Sequence, residues 1–526
     1  MNEAISLSNL PPEVQAYIRD LEARNAALTE RVRYVEEQFR LAQLKRYAPS
    51  SEKRGERVFN EAEQADADPD LDPDSDAIPL EPPETGMPAP PPAAQQARGR
   101  KPLPADLPRK RIEYDITPEQ KVCTCCQGAL HRIGEDISEQ LHIPPQTPWV
   151  WQHVRFKYGC RHCERHGISA PVVRAAMPAQ PLPGSVADAA TIATVMTGKY
   201  ADGLPLYRME AVLARVGITL SRGTLGHWMI GASERHLRRL YDAMRTVLLA
   251  QPLIHGDETR VQVLHEDGKR AQSQSYMWVY RSAESSITPV VLFEYQPGRG
   301  QQHPQAFLRG YAGTLMTDGY SAWRTLADVT HLGCMAHARR YFDEAAKAQG
   351  KTDSRAKQAL EMIARLYQVE ALARGDLPAG CTRADYTYSL RQRHSVPALA
   401  ALKAWLDQQV TRVLPKSLLG EAIIYARNQW PYLSRYADDG NAPIDNNAVE
   451  RDIRPFTTGR KNWLFSDTVA GAQASAVIYS LMLTCRACGV EPYAYLCHVL
   501  TELPLRAEGA ELHDLLPFNY AGSVTP

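Results

Sequence analysis

Between residues 11 and 44, apolar side chains return every seven positions. Val14, Leu21, Leu28, Val35 and Ala42 form one row, and Ile18, Asn25, Val32 and Phe39 form the alternate row. A narrow stripe of this period predicts a helix that pairs with a second helix, rather than one amphipathic helix lying on its own domain. Asn25 falls at an a position of the heptad. A buried Asn there costs stability but favours a parallel two-stranded coil, because it can pair with its own copy. Arg31 at g can reach Glu36 at e of the partner helix.

The pattern then vanishes. Residues 48–115 hold too little apolar content for a core and read as a disordered linker. Within it, residues 61–84 carry ten acidic side chains and no basic one, ahead of a Pro-rich and then basic stretch. Strand-like runs return in ISEQLHI and WVWQHVRFKYG, inside a ribbon spanning 116–168. Two CxxC pairs, Cys123 with Cys126 and Cys160 with Cys163, flank these runs. Each pair offers two thiolates from one knuckle, and together they close a tetrahedral Zn²⁺ site. Cys125, His162 and His166 are spare ligands. Arg155, Lys157, Arg161 and Arg165 give the ribbon a basic face suited to phosphate.

Residues 169–250 read as helical. SVADAATIATVMTGKY and LYRMEAVLARV have helical character, a turn follows at Gly217, and Ser221 caps RGTLGHWMIGA. This order is compatible with a helix-turn-helix, a pattern many helical bundles share. Residues 251–342 alternate strand and helix. IHGDETRVQV, SYMWVYRS and TPVVLFEY predict three consecutive strands, HPQAFLRG a helix, GTLMTDGY a fourth strand, SAWRTL a helix and THLGCMA a fifth strand. Three strands, a helix, then a strand is the order of the ribonuclease-H-like fold. That fold sets the first and fourth strands side by side at the sheet centre. A helical insertion, 343–440, follows within a catalytic domain spanning 251–466. Residues 467–526 form a small helical C-terminal region, in which Cys485 and Cys488 read as buried thiols. The whole is a multidomain α/β chain: a coiled-coil helix over 1–47, the linker, the ribbon, the helical region and the catalytic core.

Composition narrows the function. At 526 residues the chain holds about three or four domains. Lys and Arg balance Asp and Glu, so nucleic-acid binding must rest on local basic patches. No apolar run approaches the ~18 residues of a membrane span, and the first residues lack the marks of a signal peptide. Ten cysteines in such a chain point to metal ligands and reduced thiols, hence to a cytoplasmic protein without membrane partners.

Three acidic residues are the candidate chemistry. Asp257 and Asp318 each follow an apolar strand-type run, which predicts positions at or near strand ends. Glu450 stands among Arg451, Arg454, Arg460 and Lys461 in a short helix predicted to be capped by Asn447 and stopped by Pro455. Two aspartates and a glutamate can hold two Mg²⁺ or Mn²⁺ ions, which prefer carboxylate oxygens. Such a pair activates an attacking oxygen and stabilises a leaving one at a phosphodiester. A plain alternative exists for Glu450: a capping-box glutamate, or a surface pair with Arg454. His337, Arg339 and Arg340 are candidate phosphate contacts beside the metals.

These motifs, with KRYAPSSEK, GALHRIGED, TGKYADGLPLYR, HGDET, TDGY, MAHARR, IDNNAVERDIRPFTTGRKNWLF and LLPFNY, run through nearly the whole chain. Together they resemble the transposases of the insertion-sequence-66 family, TnpC type. The resemblance implies an Asp-Asp-Glu enzyme that cuts and joins DNA. It assigns the triad to Asp257, Asp318 and Glu450, and the zinc ligands to Cys123, Cys126, Cys160 and Cys163. It also implies double-stranded DNA partners (element ends and target), accessory proteins of the same element, a homodimer and work at the nucleoid. The competing expectation is a DNA-binding regulator that keeps ribbon and coil without chemistry; an intact triad argues against it.

Overall fold

The computed structural model describes residues 11–47, 148–158, 173–349 and 355–520. The linker 48–115 and the cysteines Cys123, Cys126, Cys160 and Cys163, with the zinc expected on them, lie outside the described residues. The chain divides into two compact units, Met1–Asp76 with Arg155–Pro526, and Ala77–Val154. In the second, residues 148–154 are extended and exposed, with Trp149 and Trp151 edge to face. Of the run WVWQHVRFKYG, ladder pairing is described only at β1 (Lys157–Tyr158), against β2 (Val173–Arg174).

Helix α1 (Pro12–Tyr47) covers the heptad region. It passes against a helix of the insertion, yet Val14, Leu21, Leu28, Val32, Val35 and Phe39 remain 40–62% exposed. The helical region follows as α2 (Ala189–Tyr200), α3 (Leu206–Arg215), α4 (Arg222–Ala232) and α5 (Arg238–Leu249). The turn after α3 uses Gly217 at φ +84°, where a side chain would be strained. Ser221 Oγ then caps α4 by accepting from Thr224 N at 3.2 Å, as its position predicts.

The sheet at the centre is built from β3 (Leu253–His265), β4 (Gln274–Ser282), β5 (Val291–Gln296), β6 (Thr314–Thr317) and β7 (Thr330–Gly333). Their order is β5-β4-β3-β6-β7. The β3–β4 and β4–β5 pairs are antiparallel, and β3–β6 and β6–β7 are parallel. All five strands match the sequence expectation. SAWRTL does not: only the single 3-10 turn Trp323–Thr325 forms there, where Trp323 is pulled fully into the core. A short strand that the sequence pattern did not reveal, β8 (Ser466–Thr468), pairs with the far end of β3.

Two apolar cores flank the sheet. One joins β3–β5 to α2–α5 and to the C-terminal helices α13 (Val469–Ala487) and α14 (Pro492–Glu502). The other lies under the insertion helices α7 (Met335–Gln349), α8 (Arg355–Arg374), α10 (Val396–Gln409) and α11 (Leu418–Leu433); α9 (Arg383–Leu390) runs through a π-helical turn into α10. The β5 edge is closed by α13. Val291 N donates to Thr484 Oγ1 at 3.0 Å and Phe293 N to Ser480 Oγ at 2.8 Å, satisfying amides that would otherwise template strand addition. Cys485, on that helix, is a buried thiol, and Cys488 is half-buried. Helix α12 (Asn447–Trp463) threads between the cores, with Ile444 just before it in one and Val449 in the other.

Candidate active site

Asp257 is the fifth residue of β3 and lies inside the strand, not at its end as expected. The strand is long because β4 pairs with it from Ile254 to Gln262, whereas β6 pairs only with Leu253–His255. Asp257 therefore stands just past the point where the parallel ladder stops. Strand alternation turns His255 and Asp257 to one face, and Gly256 and Glu258 to the other. Gly256 is required: a Cβ there would lie 2.8 Å from the Trp323 ring. That ring covers the strand, and its Nε1 donates to Glu258 Oε2 at 3.1 Å.

Asp318 directly follows β6, as expected. Its Oδ1 accepts from Tyr320 N at 2.8 Å, and Gly319 between them takes φ +98°. The Asp-Gly pair thus makes a tight turn that fixes the carboxylate at the strand end. Tyr425 of α11 donates to the Asp318 carbonyl at 2.6 Å, tying this turn to the insertion.

Glu450 corrects two expectations. The cap position is Asn446 rather than Asn447, so Glu450 is the fourth helical residue rather than the third, and the capping-box geometry is lost. Pro455 does not stop the helix, which continues to Trp463. Burial of Ile453 and Phe456 around the proline holds the helix through the missing hydrogen bond. Nor does the Asn446 side chain cap the helix. It is fully buried and spans to β3: Nδ2 donates to the Gly256 carbonyl at 3.0 Å, and Oδ1 lies 2.8 Å from His255 Nδ1. Since Oδ1 is the acceptor, His255 carries its proton on Nδ1, and burial pushes its pKa down to about 4. Asn446 N donates to Cys334 Sγ at 3.2 Å, so this one residue links β3, the start of α7 and the start of α12.

Carboxylate oxygens of Asp257, Glu258 and Asp318 lie within 4.8 Å of one another. Glu450 gathers instead with Cys334 and His337, again within 4.8 Å. Its charge still reaches the aspartates. Asp257 is raised well above the ordinary aspartate range, first by burial and then by Asp318, Glu258 and Glu450. Such crowding of negative charge without matching cations suits divalent-ion binding, and the oxygen donors of Asp257 and Asp318 fit a hard ion. Glu258 is partly neutralised: Arg299 Nε donates to it at 2.7 Å.

The basic residues divide. His337 Nδ1 lies 3.7 Å from Glu450 Oε1, and Arg340 lies 3.4 Å from Oε2. Arg339, on the same helix, acts on Tyr367. Arg451 pairs with Glu284, and Arg460 donates to Thr259 Oγ1 at 3.3 Å and to the Arg260 carbonyl. Arg454 is half-buried on α12, whereas Lys461 is exposed. Asp445 is half-buried and serves the helix start, accepting from Asn447 N at 3.1 Å and Tyr367 Oη at 3.0 Å.

Sequence reading overlooked Glu258, Cys334 and Asn446. Glu258 adjoins Asp257 in HGDET, and Cys334-x2-His337 has ligand-like spacing, so both left a signal. Asn446 left none, because its role depends on β3 lying opposite.

Comparison with known proteins supplies independent findings. The family model described as "Transposase IS66 family" matches residues 184–474. The zinc-finger binding domain of transposase IS66 matches 120–164, which holds all four paired cysteines. The IS66 C-terminal element matches 480–518, and "Transposase C of IS166 homeodomain", a leucine-zipper type model, matches 35–112. Uncharacterized protein y4jD of Sinorhizobium fredii is 34% identical over 436 residues, covering 80% of this chain and 81% of that protein. Uncharacterized protein y4qI of the same organism is 33% identical over 462 residues, covering 83% and 82%. Among the described residues no helix is long and apolar enough to cross a membrane.

Proposed function

The chain belongs to the IS66 transposase family, and from that premise we propose that it binds the ends of its insertion sequence, hydrolyses a phosphodiester there and joins the freed 3′-OH to target DNA. The observation that carries this reading is the placement of the acids. The strand order β5-β4-β3-β6-β7, with three antiparallel strands and two parallel ones, supports the reading of a ribonuclease-H-like core. It sets Asp257 and Asp318 on adjacent strands and brings the charge of Glu450 to them.

Bound divalent cations would supply activation of the attacking oxygen and stabilisation of the leaving one. Asp257 and Asp318 hold the hard-ion side, and Glu450 completes the acidic set from α12. Arg299 offsets part of the Glu258 charge that stands beside Asp257. Arg340 and His337 face the same site and are placed to meet phosphate oxygens. Lys461 offers an exposed ammonium to the DNA backbone, while Arg451 and Arg460 must first exchange the partners they hold.

Cys123, Cys126, Cys160 and Cys163 hold a structural zinc in the finger. The exposed α1 seam pairs two copies, and α4 presents Arg222 and His227 on its exposed face for DNA. The enzyme works at the nucleoid with accessory proteins of its element.

The test is cleavage of a duplex carrying the element end. Wild-type protein is expected to nick it with Mg²⁺ and to stop on chelation. Asp257→Asn is expected to bind the duplex normally in a mobility shift and to nick at least about 10³-fold more slowly. Normal nicking by that variant would overturn the assignment.

A further inference from the structure

The acids fall into two donor sets of different chemistry, and the second contains sulfur and nitrogen. Cys334 precedes α7, His337 lies one turn in, and Glu450 faces them from α12. One ligand atom of each lies within 4.8 Å of the others. Two buried atoms here have no hydrogen-bond partner among the described residues: His337 Nδ1 and Glu450 Oε1. They face each other at 3.7 Å, too far for a hydrogen bond. Two buried polar atoms left this way carry a desolvation cost that a shared cation would remove.

We propose that Cys334, His337 and Glu450 form a mixed sulfur, nitrogen and oxygen site for a borderline divalent transition ion, beside the all-oxygen site of Asp257 and Asp318. The inference rests on the reading of Glu450 as a metal ligand and adds that its ion differs in kind from its neighbour. Imidazole and thiolate favour Co²⁺ or Zn²⁺ over Mg²⁺ and Mn²⁺, which prefer oxygen ligands. The surroundings prepare the donors. Cys334 Sγ accepts from Asn446 N and from the His337 amide, both of which orient the sulfur. On binding, the thiol proton passes to solvent and the sulfur lone pair to the ion; no redox step is involved.

The probe is Co²⁺ added to the full-length, zinc-loaded protein, read by pulsed electron paramagnetic resonance for ¹⁴N coupling. Wild-type protein is expected to show directly coordinated nitrogen. His337→Gln is expected to lose it and to weaken binding of that ion by at least about tenfold. Cys334→Ser is expected to keep the nitrogen signal while lowering the ratio of Co²⁺- to Mg²⁺-supported nicking. Absence of nitrogen coupling in the wild type overturns the proposal whether or not any variant folds, as does coupling that survives in His337→Gln. Asp257→Asn separates the two readings. If it abolishes nicking while the wild type shows no nitrogen coupling, the acidic triad stands and the mixed site falls. If it nicks normally, the triad itself falls.

Discussion

Asp257 and Asp318 stand on neighbouring strands, and the β3–β6 ladder fixes their spacing before any side chain is considered. Glu450 stands on a helix that follows the whole insertion in the chain. Its position depends on side-chain contacts, chiefly those of Asn446 to β3 and α7. The strand side is built by backbone and the helix side by a buried amide. A site assembled this way can keep half its ligands when the other half is displaced, so damage to the two sides should look different.

The largest effects should come from the acids. Asp318→Asn and Glu450→Gln are each expected to slow nicking at least about 10³-fold with DNA binding intact. The Asp318→Asn/Glu450→Gln double variant is expected to be no worse than either single one, because each already disables one assembly. Additive losses, measured in the same nicking assay, would show that the two sides act independently.

Asn446→Ala strikes the helix side alone. It leaves the buried Gly256 carbonyl and His255 Nδ1 without partners, at about 1–3 kcal/mol each. Nicking is expected to fall about 10–100-fold, the scale of an outer-shell ligand support. Mn²⁺ bound at the aspartates should remain countable by calorimetry. Loss of both ions would mean that the strand side also leans on Asn446.

This contrast matches what could be read from the sequence. The five strands, the place of Asp318 at a strand end and the Ser221 cap were legible, because each depends on local pattern: apolar runs and a Ser before a helix. The start of α12 was misplaced by one residue and its end by eight, Pro455 to Trp463. Both errors have one cause. Asn446 and Pro455 are ruled by tertiary burial, and local propensity yields where the interior has already set the geometry. Cys334 and His337 were legible as spacing but became a cluster only once α12 lay opposite.

A buried acid outside the site sharpens the comparison. Burial pushes Glu294 up from 4.5 to about 7, with Arg245 and Arg238 opposing. Asp257 is raised by burial too, but also by three neighbouring acids. Glu294 is thus expected to be a stability cost without a binding role. Its unfolded form ionises first, so the cost grows as pH rises from 4.5 and is complete above about 7. That gap is worth at most about 3 kcal/mol. Glu294→Gln is expected to raise the urea midpoint at pH 8, leave it unchanged at pH 4, and nick DNA normally.

The smallest effect on chemistry is expected from removing residues 1–47. Sedimentation should show a lighter species, while metal binding at the acids is unaffected. An unchanged mass would mean that the exposed α1 seam does not hold the copies together.

Acids from both sides are expected to ligate divalent ions. Anomalous diffraction from crystals of the full chain grown with Mn²⁺ and an element-end duplex tests this most directly. The account requires manganese peaks at ligand distance, about 2.0–2.3 Å, from Asp257, Asp318 and Glu450 together. Peaks at the aspartates alone, with Glu450 still held by Arg340, would contradict it.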